Sequence, residues 1–374
     1  MTAPRVQEVD LLRSVALYGI CLANIPYLAL PFEALVVPPG GGVDRLAAVA
    51  AAALVHGKFF VLFSFLFGWG FGVQLASAAR RGTDARGPFL RRLGGLAMIG
   101  AAHAALVFFG DILILYAILG LGLWALRDAS DRTLMRIAAG SVALAALVYA
   151  GIGAALALAP DTLAAQTGPG YLGGFGAAVA QRVADWTTAF PSVLAFNGPL
   201  AIGAFALGYL GHRRGLLLPG SAGFARLERA LPWLLAVAIP ANAAYAAAAT
   251  VPGLSPGLAA AGWACLALGS PTLAAVWFWA TVRLARRLGP SRHPGAGRVS
   301  LSAYVLQGVI AGLLFNGYGL GLHGQIGLAG LVAVALGVAL ATDLLLRLWL
   351  RLARTGPLEA LLRRLTYGAA GRPA

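Results

Sequence analysis

The chain has 374 residues, of which 60% are hydrophobic and only 11% charged, and its mean hydropathy is +0.81. Soluble globular domains carry about a quarter of their residues as charge, so the composition excludes a soluble enzyme or binding module. Lys and Arg number 28 against 13 Asp and Glu, a net +15 that would suit nucleic acid unless the basic residues sort by position.

A helical crossing of a bilayer core needs roughly 20 apolar residues, and about ten runs reach that length. They lie near 11–30, 57–79, 91–109, 111–127, 134–159, 187–211, 229–250, 256–282, 299–322 and 325–350. Gly, Ala and Leu fill them, and small residues let membrane helices approach closely. The predicted fold is an all-α polytopic helical bundle, with residues 1–374 forming a single membrane domain.

The first span follows MTAPRVQEVD and lacks a small-x-small cleavage site, so it reads as an uncleaved helix. At 100° per residue Asp10, Arg13 and Asn24 share one polar stripe, with Asn24 roughly 16 Å beyond Arg13. Asp10 and Arg13 can also form a local interfacial ion pair. In the second span Lys58 stands about 33 Å from Arg80, at the outer interface, where a lysine can snorkel into headgroups. His103 in the third is roughly 18 Å from Arg91. Asp111 opens the fourth, where an acid favours the helix dipole.

The outer connection 160–186, Gly-rich at its start, is expected to be a tether or a flap. Pro252, Gly253, Pro256 and Gly257 break the chain before the eighth span, and 290–298 is a cytoplasmic loop. Tyr304 and Gln307 share a face at i, i+3, and Asp343 and Arg347 form an i, i+4 pair. Cys21 and Cys265 lie inside spans and read as packing residues.

Arg and Lys bias connections toward the cytoplasm. Clusters follow the even-numbered spans, from Arg80, Arg81, Arg86, Arg91 and Arg92 through Arg213 and Arg214 to Arg363 and Arg364. Arg45, Lys58 and Arg182 are the exceptions. Both termini are therefore predicted to be cytoplasmic, in a multi-pass protein of the bacterial inner membrane. The positive charge marks a membrane face that also suits anionic headgroups, so nucleic acid is excluded as a partner. The lipid bilayer is the expected environment, and the sequence leaves the oligomeric state open.

Ionisable groups in a membrane span are costly and point to function. Asn24, Lys58, His103 and Asp111, with His56 nearby, all fall in the outer half of consecutive helices. A His beside a carboxylate suits general-base work near neutral pH, and Lys or Asn can stabilise an oxyanion. No P-loop, HExxH, Cys/His cluster or GxSxG is present, so no metal and no covalent serine chemistry is expected.

Five blocks carry a resemblance: VDLLRSVALYGICLANIP with Asp10, Arg13 and Asn24; GKFFVLFSFLFGWG with Lys58; HAALVFFGDILILYAILG with His103, Asp111 and Tyr116; GRVSLSAYVLQ with Arg298, Tyr304 and Gln307; and RTGPLEALLRRLTYG with Glu359. Together they resemble the YeiB, or DUF418, family of bacterial polytopic membrane proteins, with the DUF418-type motifs in about residues 225–374. Ala303, Ala360 and Leu362 depart from the family pattern, and His56 has no counterpart in it. The family is distantly similar to membrane acyltransferases, including the lysosomal enzyme that acetylates the glucosamine ends of heparan sulfate.

That similarity implies transfer of an acyl group from a cytoplasmic donor, acetyl-CoA or another acyl-CoA, to a small-molecule or envelope-glycan acceptor outside. His103, Asp111, Lys58 and Asn24 would be catalytic, and Arg13, Tyr116, Arg298, Tyr304 and Gln307 would bind substrate or donor. No bound cofactor is expected. The alternatives are a transporter or exporter of a small molecule or lipid precursor, and a non-catalytic partner in envelope assembly.

Overall fold

The structure, a computed structural model, describes residues 7–31, 34–35, 41–159, 169–288 and 295–368. Arg5, Arg292, Arg372, the first part of the outer connection (160–168) and most of the 290–298 loop lie outside the described residues. The helices are α1 (Gln7–Ala29), α2 (Gly42–Leu54), α3 (Lys58–Arg81), α4 (Arg86–Leu106), α5 (Leu113–Ala125) and α6 (Asp131–Leu158). They continue as α7 (Phe175–Arg213), α8 (Ala222–Thr250), α9 (Pro256–Leu288), α10 (Ser300–Phe315), α11 (Leu328–Leu352) and α12 (Pro357–Tyr367), with 3-10 turns at Pro169–Leu172 and Ala296–Val299. Among the described residues there is no strand.

Each predicted span is a helix, so the chain is a polytopic helical bundle. Among the described residues, eight segments are long and apolar enough to cross a membrane, with α2 and α3 counting as one, Gly42–Arg81. The difference from the expected number lies in α4 and α5. The first turns of α4 carry Arg86, Arg91 and Arg92, and α5, at 13 residues, is a shorter apolar helix. The sequence reading did not predict α2, which is too short to cross, or α12, which is polar on one face. It also started α7 late, because residues 175–186 are helical rather than part of a tether.

The ends predicted to be cytoplasmic are tied to one another. Arg213 and Arg214 at the end of α7 pair with Asp131 at the start of α6 (3.1 and 2.7 Å). Arg286 of α9 reaches Glu8 of α1 at 3.4 Å, and Arg91 of α4 donates to the Thr366 carbonyl of α12 at 2.7 Å. The expected local pairs Asp10–Arg13 (3.5 Å) and Asp343–Arg347 (2.7 Å) are both formed.

Close backbone approach sets the centre of the bundle. A Cβ on Gly68 of α3 would overlap the Phe205 carbonyl of α7, and one on Gly208 of α7 would overlap the Phe65 carbonyl of α3. The two helices therefore cross through reciprocal glycines. Around them Phe67 stacks on Phe205 (4.5 Å) and Phe71 packs on Phe89 and Tyr209.

Two acids hold the segment leading into α10. Asp343 accepts the Ala296 amide at 2.9 Å, while Glu359 of α12 accepts the Leu301 and Ser302 amides at 2.7 and 3.1 Å and also the Ser302 hydroxyl. Ser302 Oγ in turn accepts the Leu358 amide at 3.1 Å, so α10 and α12 cap each other. Gly297 lies against the Asp10 backbone of α1, where any side chain would collide. Glu359→Ala is expected to cost about 1–2 kcal/mol, as loss of a helix N-cap does. A lowered midpoint of thermal unfolding in detergent, with Glu359→Gln intermediate, is the check.

Candidate functional site

His103 and Asp111 face each other across the α4–α5 hairpin. The His103 carbonyl closes the end of α4 by accepting the Val107 and Phe108 amides, both at 2.9 Å, and the chain turns through 107–112 into α5. Asp111 Oδ1 accepts the first amides of α5, Leu113 at 2.8 Å and Ile114 at 3.1 Å. Its other oxygen lies 2.9 Å from His103 Nδ1. The helix-capping and histidine-pairing readings of Asp111 thus both hold, one for each carboxylate oxygen. His103 is 3% exposed and Asp111 0%.

An ionised carboxylate can only accept, so an ionised Asp111 draws the imidazole proton to Nδ1 and leaves the lone pair on Nε2. Nε2 is buried and has no hydrogen-bond partner among the described residues. It faces a cavity of about 20 Å³, room for roughly one water-sized group. Asn24 and Leu28 of α1, Phe108 of the hairpin, and Tyr304, Gln307 and Gly308 of α10 line that cavity with His103. The Tyr304 ring packs on the His103 ring at 4.8 Å. Gln307 donates to the Leu17 carbonyl (3.4 Å) and leaves its own buried carbonyl oxygen unpaired among the described residues, while the buried Tyr304 hydroxyl lies toward the Ile112 backbone.

Two glycines make the space. A Cβ on Gly100, one turn before His103, would come within 2.7 Å of Asp111 Oδ1, and one on Gly308 would come within 2.6 Å of Val107 and 3.2 Å of His103 Nε2.

The structure divides the constellation expected from sequence. Asn24, His103, Asp111, Tyr304 and Gln307 come together, whereas Lys58 is not among the residues lining the cavity. Lys58 is wholly buried, not snorkelling, and its amine donates to the Ala52 carbonyl at 2.8 Å across the break between α2 and α3. Tyr116 also lies apart, its hydroxyl 2.6 Å from Ser64 Oγ and 3.2 Å from the Phe60 carbonyl. Arg13 and the exposed Arg298 stand at the basic end of the bundle. His56 lies beside Tyr245, 3.4 Å from its hydroxyl.

Sequence reasoning did not find Gly308, Phe108 or the α1 face formed by Cys21, Asn24 and Leu28. The i, i+3, i+7 spacing of those three was the available signal. It also treated Arg182 as an exception to the charge rule. Arg182 is 1% exposed and donates to the Leu106 carbonyl at the end of the His103 helix (3.1 Å) and to Tyr318 in the α10–α11 loop (3.0 Å). That loop is tied to the end of α1 and to the 3-10 turn before α7: Gly324 donates to the Ala29 carbonyl, Gly317 to the Tyr171 carbonyl, and His323 stacks on Tyr171. Burial holds the His323 imidazole below its ordinary pKa.

The comparisons with known proteins follow the same blocks. Residues 212–369 match the family model described as "Protein of unknown function (DUF418)". The chain is 30% identical to the uncharacterized protein YeiB of Escherichia coli (strain K12) over 391 residues, covering 97% of this chain and 96% of that protein. It belongs to the YeiB/DUF418 family. The uncharacterized protein YxaH of Bacillus subtilis (strain 168) is 28% identical over 98% of this chain and 95% of its own length. An uncharacterized 39.9 kDa protein of Bacillus acidopullulyticus, from the amylase 3′ region, is 37% identical over 31% of the chain. No solved structure matches. The chain is thus a multi-pass membrane protein of this family, and the family match spans the α10 segment with Tyr304 and Gln307 and the α12 clamp.

Proposed function

We propose that the protein is an acyltransferase of the bacterial inner membrane, passing an acyl group from a cytoplasmic acyl-CoA to an envelope acceptor. The observation carrying this reading is the unpaired, buried Nε2 of a histidine whose other nitrogen is held by Asp111. His103 Nε2 takes the proton of the acceptor hydroxyl or amine as the acceptor oxygen or nitrogen bonds to the thioester carbonyl carbon. Asn24 and the Tyr304 hydroxyl stabilise the resulting oxyanion. Collapse breaks the carbon–sulfur bond, and the thiolate leaves with the proton returned from His103. Arg13 and Arg298, at the basic end, attract the donor phosphates. Lys58 takes no part in this step, because it lies outside the cavity.

Mass spectrometry of envelope components from a deletion strain and its parent tests the reading. An acyl group missing from one component, restored by the wild-type gene, is the expected result. The break between α2 and α3 beside Lys58 favours a second reading, since transporters place substrate sites at interrupted helices. Movement of an unmodified solute into proteoliposomes would decide for transport.

A further inference from the structure

Arg92 repeats on α4 the position that Arg13 holds on α1. Arg13 stands eleven residues before Asn24, and Arg92 eleven residues before His103. Eleven residues bring a helix round to within about 20° of the same face after a rise of about 16 Å. Asn24 and His103 line one cavity, and both helices run into it from the basic end. The two arginines therefore stand together on its cytoplasmic side, and Arg13 is the titratable neighbour that acts most strongly on the Arg92 guanidinium, ahead of Tyr367 and Glu359 of α12.

A topology signal is satisfied by a solvated charge in a loop, and Arg92 is not one. It is half-buried in a helix, and its Nε is enclosed with no hydrogen-bond partner among the described residues. No carboxylate among those residues lies within ion-pair distance of it. Glu359, the acid in its range, already accepts the Leu301 and Ser302 amides and the Ser302 hydroxyl. Arg13 pairs with Asp10 at 3.5 Å and keeps 30% of its side chain exposed, so this end is open to a ligand. Arg91 is tied to the Thr366 carbonyl, which leaves its charge in place, and the exposed Arg298 follows Gly297, which lies on the Asp10 backbone. Four arginines thus gather with two acids, Asp10 and Glu359. Guanidiniums placed side by side repel unless an anion joins them. A phosphate monoester carries about −1.5 to −2 at neutral pH, which offsets that surplus, and its oxygens suit the planar guanidinium forks.

We propose that Arg92 and Arg13 clamp a phosphate group at the face predicted to be cytoplasmic, with Tyr367 adding a hydroxyl donor. The phosphate belongs either to a soluble ester or diphosphate or to an anionic lipid headgroup. On the acyl-transfer reading the clamp is the seat of the donor phosphates, and it stands without that reading.

The test is thermal unfolding of the full-length protein in non-ionic detergent, titrated with inorganic pyrophosphate at an ionic strength held constant with chloride. A saturable rise of the midpoint is expected. Arg92→Gln and Arg13→Gln should each weaken the apparent affinity about tenfold or more, the worth of one hydrogen bond to a charged group. Arg92→Lys, which keeps the charge but loses the fork, should fall between. Arg81→Gln, at an exposed position ending α3, should bind as the wild type does. So should His103→Ala, which separates this site from acyl transfer. Displacement of pyrophosphate by coenzyme A marks a soluble source and displacement by phosphatidic acid in the micelle a lipid headgroup, and either supports the clamp. A pyrophosphate effect no larger than that of chloride, or one weakened as much by Arg81→Gln as by Arg92→Gln and Arg92→Lys, would mean diffuse surface charge and overturn the proposal.

Discussion

Replacing His103 by Ala should lower acyl transfer about 10²–10⁴-fold, the usual contribution of a positioned general base. Asp111→Asn should cost a comparable factor for a different reason. An asparagine can still accept the α5 amides through its oxygen, but the amide group facing His103 donates to Nδ1. That leaves the proton on Nε2, and the nitrogen facing the cavity no longer accepts one. The measurement is the amount of acylated envelope component in a deletion strain complemented with each variant, normalised to the protein in the membrane fraction. Full acylation with normally inserted His103→Ala would remove the catalytic assignment.

The double substitution Gly68→Ala/Gly208→Ala should destabilise the bundle by about 3 kcal/mol or more, as overpacking does when the obstacle cannot yield. Each new methyl meets a backbone carbonyl rather than the end of a flexible side chain. The two sites share one helix crossing, so their costs are not additive. Gly70→Ala is the matched control: a Cβ there meets nothing within 4 Å, and alanine is the better helix former by about 1 kcal/mol. Thermal unfolding in detergent should show a large fall for the pair and no fall for the control.

The membrane class, the helices and their common basic face were legible because hydropathy and arginine position report directly on the bilayer. The His103–Asp111 pair was legible because a single hairpin brings the two residues together. Lys58 was misplaced because counting rise from Arg80 gives distance along α3 but not what surrounds its end. Only the α2–α3 break, invisible to a 20-residue hydropathy window, shows that its amine satisfies a freed carbonyl. Arg182 was read as loop charge because nothing in the sequence announces that α7 extends back to Phe175. The GPLE block carried a family resemblance without a physical reason until Glu359 was seen capping the helix that bears Tyr304 and Gln307.

The brevity of α5 has a consequence for the surrounding lipid. Its 13 residues rise only about 20 Å, against a hydrocarbon core of about 30 Å. Ile118 and Leu121 are 45% and 54% exposed on its outer face, so lipid must adapt to the short wall. A bilayer that thins there brings the outer water boundary down toward Asp111, and on the proposed reading the acceptor travels only part of the membrane's depth to meet His103. Activity should then fall as the acyl chains of the host membrane lengthen, which makes bilayer thickness itself a determinant of turnover.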